Sequence, residues 1–194
     1  MQEIALKIDT ESMLSHIENV QDRILVKEAV LAYHGHALRA AYVMIWIACA
    51  ESIKRRISES AGWDKEAESL LTRIQGLEHN QKAIDGKILE FAVALGLIDG
   101  IEAEQLGTVY KNRNIYGHPY ERTPSEVEVI GAIELVCDAV LSKPLRYKHR
   151  FIKCLQDDLF SNKSFLDDTD GAVDEYVDNF VLKRIDPCVY KILV

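Results

Sequence analysis

The stretch from Ala37 to Ser58, ALRAAYVMIWIACAESIKRRIS, decides the expected fold. Its first half is apolar almost all round, which is typical of a helix surrounded by other helices. Its second half is rich in charged residues and predicts a solvated helix end. The apolar run from Ala40 to Ala50 is about half of the roughly 20 residues that a bilayer-spanning helix needs. The stretch therefore predicts the central helix of a bundle and no membrane span.

The composition also favours helices over strands. The chain has 194 residues, of which 48% are hydrophobic, and only 4 are proline. This length allows one buried core with an extension. We expect an all-α fold, an up-and-down bundle of four to five helices with additional C-terminal helices. Its expected parts are an N-terminal helical segment (1–35), the bundle (36–145) and a helical extension (146–194).

Charge and targeting signals restrict the class of protein. The formal net charge is -8, so the surface as a whole cannot attract nucleic acid, and any RNA contact must be local. The N-terminus lacks the basic start and apolar run of a secretory signal, and a cytoplasmic location is expected. The four cysteines are widely spaced and predict reduced, structural thiols: Cys49, Cys137, Cys154 and Cys188.

Two more helices are expected directly after the central one. Trp63 followed by Asp64 is a hydrophobic residue before an N-cap, and the apolar spacing beyond it predicts a short helix that ends at Gly76. A second apolar series, with helical spacing up to Leu95, predicts a helix that ends before Gly96.

Two capping patterns predict the helices that follow. Asp99 with Glu102 three residues later resembles a capping box at the start of a helix. The segment 123–126, Thr-Pro-Ser-Glu, predicts a second capping box with proline at the first helical position. That helix is expected to end before Pro144. Because the sequence then closes on the apolar run Pro-Cys-Val-Tyr-Lys-Ile-Leu-Val, we expect it to be the N-terminal piece of a longer protein.

The candidate catalytic side chains lie in the segment Arg113-Asn114-Ile115-Tyr116-Gly117-His118. Residues five apart on an uninterrupted helix point about 140° away from each other, which would separate Arg113 from His118. Gly117 is expected to let the chain leave helical geometry, so that the imidazole swings back toward the guanidinium. Asn114 lies one turn from His118 in either case.

This segment resembles the Arg-x4-His motif of the HEPN family, in which a polar residue directly follows the arginine. The earlier stretches RAAYVMIWIACAES and FAVALGLI add to the likeness, which covers residues 37–143 and is greatest to bacterial HEPN-like domains at the N-terminus of longer proteins. The resemblance implies a metal-independent endoribonuclease that acts as a homodimer on RNA, in defence or stress response. No cofactor and no metal are implied.

The resemblance also implies roles for individual residues. His118 would act as general base or acid, Arg113 would stabilise charge on the scissile phosphate, and Asn114 would orient His118 or the phosphate. The spacing from His118 to Tyr120 resembles HEPN toxins that pair with small nucleotidyltransferases, which makes such an enzyme a candidate partner. The residues expected to contact substrate are Lys111, Tyr116, Tyr120, Arg122 and Glu51.

Simpler interpretations of the same residues remain open. Basic side chains near a helix C-terminus interact favourably with the helix dipole and bind free carbonyls without any catalytic role. Glu51 is either a partner of the motif or a plain surface residue. His34 and His36 invite a metal site, but no further ligand stands at conventional spacing. Lys54-Arg55-Arg56 is interpreted as a solvated helix end.

Two functional alternatives follow from these simpler interpretations. A non-catalytic HEPN-like domain would serve as an RNA-binding or dimerisation module of a larger protein, which the acidic net charge favours. A purely structural helical adaptor would need neither RNA nor a clustered motif.

Overall fold

The computed structural model describes residues 10–62, 64–118, 122–145 and 161. These residues form seven α-helices, one short π-helix and no strand, which confirms the expected all-α class. In chain order the α-helices are α1 (Thr10–Ser15), α2 (Val20–His34), α3 (Leu38–Ala61), α4 (Lys65–His79), α5 (Asp85–Ala94), α6 (Gly100–Tyr116) and α7 (Glu126–Val136), and the π-helix (Cys137–Leu141) follows.

Helix α3 is the centre of the molecule, as its apolar sequence predicts. It contacts α2, α4, α5, α6, α7 and the π-helix. Along one side of α3, Ile45, Cys49, Ile53 and Ile57 are all 0% exposed, and Trp46 beside them is 1% exposed. Because burial continues to Ile57, the whole helix is interior on this side and anchors the elements around it.

The prediction that Lys54-Arg55-Arg56 forms a solvated helix end is wrong for the two arginines. Arg56 is 7% exposed, and its guanidinium donates to the backbone carbonyls of Val140 and Lys143 at 2.6 Å each. Arg55 forms two hydrogen bonds with Asp22 of α2, at 2.9 and 2.6 Å. Periodicity alone classes these arginines as solvent-facing, whereas their acceptors come from distant parts of the chain.

Helix α2 belongs to the same hydrophobic core as α3. Val26, Ala29 and Val30 of α2 are buried against the central cluster. The helical path breaks between α2 and α3, where His36 adopts the left-handed backbone conformation with φ of 56°. The short turn lets α2 fold back onto α3.

The helix starts follow their N-caps closely. Asp64 accepts from Glu66 N–H, and Asp99 and Glu102 form the predicted capping box of α6. The prediction of a capping box over 123–126 is displaced by two residues, because the box actually joins Ser125 to Glu128. Pro124 therefore precedes the cap and does not occupy the first helical position.

Two helix ends differ from prediction, and one agrees. Helix α4 continues through Gly76 to His79, because a glycine in right-handed helical geometry weakens a helix without stopping it. Helix α5 is followed by Gly96 in the left-handed conformation, as expected. The last helix ends before Pro144, but its final five residues, Cys137–Leu141, form a π-helix that no local pattern indicated.

Residues 146–194, the expected helical extension, lie outside the described residues except for Ser161, and so do Trp63, Cys154 and Cys188. Cys49 and Cys137 are free and buried, as expected for structural thiols. Among the described helices, none combines the length and apolar character that crossing a membrane requires.

Candidate functional site

The last turn of α6 places the motif residues. Gly117 keeps right-handed helical dihedral angles, φ of -66° and ψ of -20°, so the prediction that it releases the chain from helical geometry is wrong. Its contribution is space, because a Cβ at this position would lie 3.1 Å from the carbonyl oxygen of Arg113. His118 lies two residues beyond the end of α6, and its N–H donates to the Ile115 carbonyl three residues back, so regular helical spacing does not fix its direction relative to Arg113.

Arg113 is held between α6 and α5. One of its terminal nitrogens donates to Asn114 Oδ1 at 3.0 Å, and the other lies 3.6 Å from Asp85 Oδ2. Its Nε is buried and has no hydrogen-bond partner within the described part of the chain. The side chain as a whole is 31% exposed, so a ligand would have to approach it from the exposed part and not at the buried Nε.

His118 lies exposed just beyond α6, and a residue of α3 holds its backbone. Arg39 donates from one terminal nitrogen to the His118 carbonyl oxygen at 2.9 Å. The same guanidinium donates to Thr123 Oγ1 from Nε at 3.2 Å and from its other terminal nitrogen at 2.9 Å. Arg39 therefore bridges the two described residues that flank the 119–121 segment, and the site-residue prediction missed it.

Glu128 organises the other side of the helix end. Its Oε1 accepts from Tyr116 Oη at 2.7 Å and from Arg122 at 2.9 Å, and its Oε2 accepts from the Ser125 backbone at 2.8 Å. These bonds, that from the Ser125 backbone foremost, lower the pKa of Glu128 to about 2. The carboxylate is therefore a fixed negative charge that ties α6 to the start of α7.

Tyr116 is a supporting residue and not an exposed substrate contact. It is 3% exposed, and its ring meets the edge of Tyr42 at a centroid distance of 4.9 Å. Burial, together with the hydrogen bond to Glu128, raises the pKa of Tyr116 to about 12. Its assignment to substrate binding would require the tyrosine to leave this packed position.

The remaining predicted substrate contacts are scattered. The side chain of Arg122, four residues after His118, is 70% exposed. Lys111 is exposed on α6. Glu51 is exposed on α3 and pairs with Lys54, which in turn reaches Glu78 of α4. These contacts match the surface alternative for Glu51. Tyr120 lies outside the described residues.

The structure therefore brings the predicted residues together in two groups on either side of the last turn of α6. Arg113 and Asn114 group with Asp85 on the α5 side. His118 groups with Arg39 and Thr123 near the α3 start. No hydrogen bond or ion pair joins the Arg113 and His118 side chains in the described ranges, so a single chain does not present them as one contact pair.

Metal chemistry finds no ready donor set in the described ranges. No group of three or more His, Cys, Asp or Glu side chains is placed to hold an ion there. His36 lies beside an acidic residue, with Nδ1 at 3.8 Å from Glu126 Oε1, and both side chains are more than half exposed. The basic groups described at this site are the imidazole of His118 and the guanidinium ions of Arg39, Arg113 and Arg122.

Comparison with known proteins assigns no family to the chain and no function to this site. The chain matches no protein-family model, no curated protein and no solved structure.

Proposed function

We propose that this chain is a metal-independent endoribonuclease of the HEPN type, with an up-and-down helical bundle that acts on RNA as a homodimer in the cytoplasm. The observation that carries the proposal is the end of α6, where the exposed His118 follows Arg113, whose side chain is 31% exposed. An imidazole titrates near neutral pH, and a guanidinium binds phosphate oxygens with a planar fork of donors.

The proposed reaction is an internal transfer at the RNA phosphodiester. Neutral His118 takes the proton of the ribose 2′-hydroxyl, and the 2′-oxygen forms a bond to phosphorus. The bond from phosphorus to the 5′-oxygen breaks, and that oxygen takes a proton from water, while protonated His118 gives its proton to the hydroxide left behind. Arg113 stabilises the negative charge that develops on the phosphate oxygens. The products are a 2′,3′-cyclic phosphate and a 5′-hydroxyl, and no metal or redox partner is needed.

A second copy of the chain would allow Arg113 and His118 to act at the same site. In the described ranges, Arg113 contacts Asp85 and Asn114 while Arg39 holds the His118 backbone, so the two residues have separate partners within one protomer. A two-fold axis near this helix end would place Arg113 of one protomer opposite His118 of its partner.

The test uses purified protein, a fluorescent RNA and a chelating buffer. We expect cleavage by the native chain, and loss of at least about 100-fold in rate for His118→Ala and for Arg113→Ala. An RNA whose ribose 2′-hydroxyls are replaced by hydrogen should remain intact. His34→Ala and Arg23→Ala are the matched controls, because each removes one exposed or half-buried side chain of the same type from α2.

Mixing the two inactive variants tests the shared site. If each site takes Arg113 from one protomer and His118 from the other, random exchange of subunits should restore about a quarter of the native rate, since half of the dimers are mixed and each mixed dimer has one intact site. Native-like cleavage by either single variant, or no cleavage by the native chain, would refute the catalytic proposal.

One observation favours a second candidate function, an RNA-binding or dimerisation module without catalysis. Arg113 already contacts Asp85 and Asn114, so part of its donor capacity is spent inside the protein. Saturable RNA binding or dimer formation, without any cleavage product in a chelating buffer, would select this function. A small nucleotidyltransferase is a candidate partner of the catalytic form.

A further inference from the structure

The contacts of Arg39 tie the first turn of the central helix to both described residues that flank the 119–121 segment. We propose that Arg39 is a positioning residue, which sets the place of the His118 imidazole by holding the His118 carbonyl and the Thr123 hydroxyl at once. The catalytic part of this inference rests on the proposed function, whereas the effect on His118 itself does not.

The anchoring side of the contact is rigid. Arg39 stands in the first turn of α3, and the next turn contains Ala41 and Tyr42, which are 0% and 2% exposed. Helix α3 contacts every α-helix from α2 to α7. A side chain that begins on this helix therefore has a fixed origin relative to the whole bundle.

Among the described residues, the held side of the contact has one further backbone hydrogen bond. Helix α6 ends at Tyr116, and the His118 N–H donates to the Ile115 carbonyl at 3.2 Å. The imidazole itself is exposed. The shorter bond from Arg39 to the His118 carbonyl, at 2.9 Å, is therefore a main restraint on where this residue sits.

Only a guanidinium satisfies both acceptors in this arrangement. One terminal nitrogen serves His118, while Nε and the other terminal nitrogen converge on Thr123 Oγ1. A lysine ammonium is a single point of charge and lacks the planar fork that spans two acceptors. Arg39→Lys should consequently keep the charge of the site and lose the double attachment.

The consequence for chemistry follows from the precision that proton transfer requires. A general base acts only within hydrogen-bond reach of the proton it takes, and a displacement of about 1 Å costs on the order of 100-fold in rate. Arg39 needs no contact with RNA to have this effect. Its loss should lower kcat far more than it raises KM, because substrate contacts elsewhere persist.

The experiment compares Arg39→Ala, Arg39→Lys and Thr123→Val with the native chain, and uses Arg23→Ala as the control for loss of one arginine. Imidazole NMR signals, with those of His118 identified by their absence in His118→Ala, report the position of the ring directly. We expect the His118 signals to shift in all three variants, most in Arg39→Ala and least in Thr123→Val. The signals of the other five histidines should remain in place.

RNA cleavage is measured on the same samples. The expected loss in kcat is on the order of 100-fold for Arg39→Ala and about tenfold for Arg39→Lys, with little change for Arg23→Ala. Unchanged His118 signals in folded Arg39→Ala and Arg39→Lys would overturn the inference. If Arg39→Ala does not fold, Arg39→Lys and Thr123→Val decide the question. If the native chain cleaves no RNA, the proposed function fails, and the NMR shifts alone decide the role of Arg39.

Discussion

At the scale of the residue, Glu128 joins three parts of the candidate site through one carboxylate. It completes the capping box of α7, accepts a hydrogen bond from the Tyr116 hydroxyl, and pairs with Arg122. Each contact favours the ionised form, which explains why its pKa lies far below the usual value of a glutamate. The same carboxylate therefore contributes to stability and to the shape of the α6 end.

The change Glu128→Ala should lower the free energy of unfolding at neutral pH by about 1–2 kcal/mol, because it removes a helix cap and leaves the buried Tyr116 hydroxyl without its acceptor. Urea denaturation followed by circular dichroism measures the loss. Glu134→Ala, an exposed glutamate on the same helix, is the control and should change stability little. Equal losses in the two variants would contradict the role of Glu128.

The pH dependence of that difference has a defined sign. The folded pKa of Glu128 is lowered from 4.5 to about 2, so its stabilising effect is complete above the unfolded value and disappears as the pH falls toward the folded one. Stability curves of the native chain and Glu128→Ala should therefore converge as the pH falls from about 4.5 to about 2. A constant gap across this window would show that charge is not the cause.

At the scale of the element, a buried polar cluster fixes α2 on α3. Asp22 is 0% exposed and accepts from Arg55 and from Ser52 Oγ, the latter at 2.9 Å. Arg56 Nε donates to the same Ser52 oxygen at 3.3 Å. Apolar contacts between the two helices have little directional preference. These hydrogen bonds, in contrast, form at only one relative position of α2 and α3.

Removing Arg55 should cost more than removing Asp22. Arg55→Ala leaves the Asp22 carboxylate buried with only Ser52, at a cost of about 3 kcal/mol in unfolding free energy. Asp22→Ala leaves an arginine that is 25% exposed and can turn to water, so a loss of about 2 kcal/mol is expected. Chemical denaturation measures both, with Glu28→Ala on the exposed side of α2 as control. A larger loss for Asp22→Ala would contradict this assignment.

At the scale of the whole molecule, Arg56 closes the bundle by joining α3 to the end of the described C-terminal helix. It holds the carbonyls of Val140 and Lys143, and the Lys143 ammonium pairs with Glu102 of α6. Cys49 and Cys137 lie buried within the bundle. Burial raises the pKa of each thiol to about 12, which suppresses the reactive thiolate.

Thiol labelling should therefore report opening of the bundle. In a chain with Cys154→Ser and Cys188→Ser, we expect Cys49 and Cys137 to react with iodoacetamide far more slowly at neutral pH than they do in urea. Adding Arg56→Ala should speed labelling about tenfold for each 1.4 kcal/mol of lost stability. Mass spectrometry measures the rate. Fast labelling of the folded parent chain would contradict the buried positions.

Local patterns predicted the helices well where the cause is local. The apolar run of α3, the Asp99 cap and the glycine after α5 each act within a few residues, so they are visible in the sequence. The Arg113 to His118 motif is visible for the same reason. Its surroundings are not, because Asp85 and Arg39 reach it from 28 and 79 residues away in the chain.

The amino-acid sequence by itself determined the helical class, the central position of α3, the starts of α4 and α6 and the end of α5, because periodicity and capping are properties of neighbouring residues. Only the tertiary structure decided that Arg56 and Tyr116 are buried, that Arg55 pairs with the buried Asp22, and that Arg39 holds the backbone of His118. Each of these facts depends on an acceptor or a packing surface contributed by a distant segment, and a solvated arginine and a buried one look alike until that segment is in place.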